Sequence, residues 1–115
     1  MEKAIHHLEV DLRIATPFNW HDHLCVVHTQ LAWLFLGEDR LDDAQAHIER
    51  AKSHTVDSPY NLGGAMVSQA AVWNKQRRFE EARSEVLRAV ELFEKLGAAS
   101  DVEACRQFLQ FVEEG

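Results

Sequence analysis

Residues Arg40–Ala51 and Arg78–Ala89 carry one pattern twice. Each reads arginine, an apolar residue, two acids, alanine, three variable positions, a β-branched residue, one variable position, then arginine and alanine. The separation is 38 residues throughout, from Arg40 to Arg78. Weaker matches extend upstream, Ala32 to Ala70 and Phe35 to Trp73. Each unit therefore reads as an apolar helix, a short turn and a second helix with alanine at its contact points. Ala44 and Ala51, like Ala82 and Ala89, are small enough for two helices to approach closely, while Phe35, Ile48, Trp73 and Val86 fill the gaps. Such a hairpin cannot bury its apolar face alone, so it must stack on a neighbour.

Apolar residues recur at spacings of three and four nearly everywhere: Ile5, Leu8, Leu12; Leu24, Val27, Leu31; Phe79, Ala82, Val86; Cys105, Phe108, Val112. That period belongs to helices, and no stretch alternates with period two long enough for a strand. The pattern predicts an all-α chain of six helices near 2–15, 21–37, 41–53, 59–76, 79–96 and 100–113. Ser58 before Pro59, and Ser100 with Asp101, offer side-chain oxygens to the orphan amides of a first helical turn. Gly97 after Leu96 is a C-terminal stop. Gly63-Gly64 is locally unfavourable inside a helix; a late helix start is the expected explanation, close approach of another backbone the alternative.

This spacing resembles the tetratricopeptide repeat, whose pattern is Trp-x2-Leu-Gly-x2-Tyr followed by Ala-x3-Phe, Ala and Pro. Position by position, the first unit offers His28, Leu31, Ala32 and Phe35, then Ala44, Ile48 and Ala51; the second offers Met66, Gln69, Ala70 and Trp73, then Ala82, Val86 and Ala89. Both units lack the first aromatic and the closing proline, and 38 exceeds the usual period of about 34. The stretch Leu92–Arg106 also resembles repeat arrays that follow the NTPase module of fungal nucleotide-binding, immune-receptor-like signalling proteins. No Gly-Lys-Ser/Thr phosphate loop is present here.

The resemblance implies stacked antiparallel helical hairpins in a right-handed solenoid. One helical-repeat domain then covers 1–115: a partial preceding repeat (1–20), repeat one (21–58), repeat two (59–96) and a partial or capping repeat (97–115). It also implies a concave groove lined by the first helices of the two units. There Val26, Thr29, Trp33 and Leu36 would face Val67, Ala71, Asn74 and Lys75, walls suited to an amphipathic helix or extended peptide. The Lys and Asn clamp for a C-terminal carboxylate is not reproduced. By register Phe108 and Phe111 stand where Ala70 and Trp73 stand. They await either a partner helix or a tilt of the last helix into a cap.

The remaining chemistry points away from catalysis. A formal charge of −7 disfavours nucleic acid and anionic membranes as partners. The longest apolar run, Leu31–Leu36, is far short of a membrane span. Cys25 and Cys105 form no CxxC pair, and with no secretory leader a reduced cytoplasmic chain is expected. His21, Cys25 and His28 share one helical stripe and are types that zinc accepts. No matching His, Cys or carboxylate pair elsewhere in the sequence completes a rigid ligand set, so no metal or cofactor is expected. The acidic pairs Asp42-Asp43 and Glu80-Glu81 open second helices, where they complement the helix dipole. The expectation is a scaffold that binds a protein or peptide and performs no catalysis. The alternatives are a module that self-associates through helices 2–15 and 100–113, and a small metal-binding helical domain.

Overall fold

The computed structural model describes residues 2–18, 20–55 and 58–114. Helix α1 (Glu2–Ala15) runs into a 3-10 turn (Thr16–Phe18), followed by α2 (His21–Gly37), α3 (Leu41–Ser53), α4 (Pro59–Lys75), α5 (Phe79–Leu96) and α6 (Ala99–Glu114). No strand occurs among the described residues. Helices α2 and α3 form one antiparallel hairpin and α4 and α5 a second, stacked so that α2 and α3 both pack on α4. Helix α1 packs on α2 and α6 on α5. The molecule measures 39 × 31 × 19 Å, and the last dimension is two helix layers deep.

The duplicated sequence builds a duplicated turn. Asp39 and Arg77 both adopt left-handed backbone, with φ of 58° and 63°. The next amide reaches back to an aromatic residue's carbonyl: Arg40 N–H to Phe35 O at 2.9 Å, and Arg78 N–H to Trp73 O at 2.8 Å. This six-to-one bond satisfies a carbonyl orphaned by the helix end. Each arginine then turns its guanidinium over that same aromatic ring, 4.4 Å from the Phe35 centroid and 5.3 Å from that of Trp73. Its Nε donates to an acid in the next helix, Asp43 or Glu81, at 2.9 Å. Thus the repeated arginine and acid, with the aromatic five residues before the arginine, lock the hairpin angle. Between α5 and α6, Ala98 N–H bonds Phe93 O at 2.9 Å and Gly97 supplies the left-handed φ of 70°.

Ser58 caps α4, its Oγ accepting from Asn61 N–H at 3.4 Å, with Pro59 at the first helical position. Ser100 and Asp101, by contrast, lie inside the first turn of α6, which begins at Ala99. Asp101 instead accepts from the Tyr60 hydroxyl at 3.0 Å and ties α6 to α4. The glycine pair also differs from expectation, because α4 begins at Pro59 with no late start. Gly63 is buried under the Phe93 ring, and a Cβ there would lie 2.6 Å from Phe93 Cζ. Gly64 meets nothing within 4 Å. Close approach is therefore the reason for the first glycine, and the approaching group is a ring from α5.

Two cores result. One joins Ile5, Val27, Leu31, Phe35, Ile48 and Val72 across α1 to α4; the other joins Ala70, Ala82, Val86, Phe93 and Cys105 across α4 to α6. Polar pins cross between the hairpins. Gln45 and Gln69 exchange reciprocal amide bonds at 2.8 Å, which satisfies the buried Gln69. Lys52 of α3 reaches the buried Glu85 of α5 at 3.4 Å. Phe108 packs against both cores, so α6 covers the end of the stack, while Phe111 stays 62% exposed.

Candidate functional site

The eight residues of the expected groove do not form one surface. Leu36 and Ala71 are buried in the core that α2 and α4 share. The small Ala71 side chain lets these helices touch, so at the Leu36 and Ala71 end the line between them is a packed seam where a groove was expected. Val67 is likewise committed to packing, against the second core. Asn74 is half-buried, and its Oδ1 has no hydrogen-bond partner among the described residues. Lys75 is exposed and lies 3.8 Å from Asp39, tying the end of α4 to the first hairpin's turn.

Val26 and Thr29 line a small cleft of about 160 Å³ with Cys25, Tyr60, Asn61, Gly64 and Asp101. Thr29 spends its hydroxyl on Cys25 O at 2.8 Å. Burial raises the Cys25 thiol pKa, which keeps it protonated and a poor nucleophile.

Trp33 lies on another face. It is 42% exposed and stands in the wall of a trough between α1 and α2, with Ala4, Leu8 and Leu34 as its apolar neighbours. Lys3, His7 and Gln30 complete the lining, and the volume is about 750 Å³. Helix α1 packs on α2 as α3 packs on α4. In the angle between α3 and α4 sits α2; the corresponding angle between α1 and α2 is the trough. Helix geometry thus offers a seat for one more helix.

Of the three residues on the expected metal stripe, His21 and His28 gain partners that Cys25 does not share. His21 Nδ1 lies 2.8 Å from His54 Nδ1, and His28 Nδ1 lies 2.8 Å from His47 Nδ1. His28 and His54 stack with an interplanar angle of 2° and centroids 6.1 Å apart, which joins the two pairs into a ladder. His47 stacks in turn on Phe35 at 5.4 Å. A signal for these pairs exists in the sequence. His21 and His54, like His28 and His47, are equidistant from the hairpin turn, so an antiparallel hairpin brings them face to face.

Both pairs have ring centroids 5.1 Å apart. That separation is the hydrogen bond plus the radii of two imidazoles, so the nitrogens point at one another along the line of centres. Two ligands of one metal would instead aim at a common point beside that line. Among the described residues no group of three or more His, Cys, Asp or Glu is arranged to hold a metal ion. Burial, then the neighbouring His47, Arg50 and His54, pushes the His28 pKa down to about 4. Burial also lowers His47 and His54. No helix among the described residues is long and apolar enough to cross a membrane. No protein-family model, no curated protein and no solved structure matches the chain.

Proposed function

We propose that the chain is a helical-repeat module that binds protein, and that its docking surface is the trough between α1 and α2, with Trp33 as the anchor. The observation that carries this reading is the half-exposed indole beside Ala4, Leu8 and Leu34, at the place where the stack's own geometry seats a helix. An aromatic anchor in an apolar trough with a polar rim is the arrangement that helix-in-groove recognition uses. The net charge of −7 favours protein over nucleic acid as partner. The resemblance to tetratricopeptide arrays, including those of fungal signalling NTPases, supports a scaffold role over catalysis. Two free, buried cysteines suit a reducing cytoplasm.

Selection of helical peptides from a displayed library, against wild type and Trp33→Glu in parallel, tests the site. The reading predicts peptides with apolar residues at i, i+3, i+4 and i+7 that lose at least tenfold in affinity for Trp33→Glu. Peptides indifferent to Trp33 but blocked by Val26→Glu would move the site to the cleft at the start of α4. A second reading, self-association through the end helices, draws on the exposed Phe111 ring of α6. Light scattering over a concentration series tests it: a dimer lost in Phe111→Glu supports it, and a monomer throughout removes it.

A further inference from the structure

Both rungs of the histidine ladder tie α2 to α3 through a head-on contact between two Nδ1 atoms. Such a contact needs one N–H and one lone pair, so the two rings of a rung adopt different tautomers. A first proton on a rung is tolerated, because the donor ring becomes an imidazolium and its bond is charge-assisted. A second proton puts two N–H groups face to face at 2.8 Å, and the bond is lost. The stacking of His28 on His54 brings the two rungs together, so charge on one opposes charge on the other.

We infer that the ladder is an acid-released clasp, which holds the first hairpin closed while its rungs are neutral and opens it, with α1, when both rings of a rung are protonated.

The surroundings offer little to neutralise the added charge. From α3, Arg50 opposes protonation of His28 and His47, while Asp43 favours it at His47. From α1, Glu9 also favours it at His47, but Arg13 lines the cavity beside His28 and His54 together with Arg50. At His47, burial and Arg50 outweigh both carboxylates. That cavity, about 590 Å³ and roofed by Leu12, Thr16 and Pro17, runs between the ladder and the end of α1, so opening the rungs loosens what α1 rests on. All seven histidines lie at or before His54, and α4, α5 and α6 have none. The histidine response is therefore confined to the first half of the chain.

The sign follows from the depressed pKa. Above the unfolded value of 6.5 the His28, His47 and His54 rings are neutral in both states and their stabilisation is fully present. The part that His28 contributes is lost as pH falls from 6.5 through its folded value of about 4, and His47 and His54 are shifted in the same direction. For the His28 proton, taken as the second on its rung because charge on His47 opposes it, linkage gives a reduction of about thirtyfold in the closed-to-open ratio at pH 5.

Hydrogen exchange followed by mass spectrometry at pH 7 and pH 5, corrected for the intrinsic rate, reads this directly. The expected result is a loss of protection of tenfold or more in peptides from α1, α2 and α3, with α4 to α6 changed less than threefold. The double variants His28→Leu/His47→Leu and His21→Leu/His54→Leu should each reduce that loss; the second, on the more exposed rung, guards against misfolding of the first. Equal loss in all six helices, no loss in α2 and α3, or an unchanged loss in whichever variant folds would overturn the clasp.

Discussion

Leu36→Glu and Ala71→Glu each unfold the protein instead of blocking a surface. Both side chains lie in the seam between α2 and α4, 7% and 5% exposed. Removing Leu36 forfeits about 2–3 kcal/mol of apolar burial. A carboxylate placed there without a partner costs several kcal/mol more. Ala71 leaves no room for a longer side chain, so Glu there must also push the two helices apart. A domain of this size is stable by only about 5–15 kcal/mol, so either change removes most of the margin. Circular dichroism melts check this. Loss of the cooperative transition, or a Tm lowered by 15 °C or more, is expected; helicity and Tm close to wild type would return both residues to an open groove.

Adjacent glycines in α4 should respond with opposite signs. Gly63→Val drives new methyl groups into the Phe93 ring, which is itself buried and edge-on to Tyr60 at 5.6 Å, so the ring cannot swing aside freely. Overpacking of this kind costs about 2–3 kcal/mol. Gly64→Ala meets open space and gains about 0.5–1 kcal/mol of helix propensity. Urea denaturation measures both, and a Gly63→Val variant as stable as wild type would show that α4 and α5 are not in this contact.

These cases mark what was legible in the residues and what was not. Helix positions were legible to within a residue at each end, because periodicity, Ser58-Pro59 and Gly97 act locally. The turn at Arg40 and Arg78 was legible as a boundary, since its arginine and acid recur with the repeat. Its left-handed residues were not, because Asp39 and Arg77 take a conformation that glycine usually marks. Ser100 misled because α6 is already helical one residue earlier, and Asp101 serves Tyr60 across the stack. Which glycine is crowded depends on Phe93, thirty residues away, and no local rule carries that information.

The candidate site was less legible still. Assigning Trp33 an outward direction was correct from register, but its neighbours were sought on α4 when they lie on α1. The expected groove is closed at its Leu36 end because α2 and α4 touch through Ala71, a distance that sequence spacing does not set, and the small cleft at Val26 and Thr29 is what remains of it. Likewise the histidines were tested along one helix stripe, His21 to His28, while the partners that matter face them across the hairpin.

The three tryptophans, Trp20, Trp33 and Trp73, allow the docking surface to be read one ring at a time. Labelling with 5-fluorotryptophan gives three fluorine resonances, assigned by single Trp→Phe variants, to be followed as a selected helical peptide is added. The trough predicts that the Trp33 resonance shifts and saturates with the peptide, while the Trp73 resonance, packed beneath Arg78, stays in place. A saturating shift at Trp73 or Trp20 with Trp33 unmoved would contradict it.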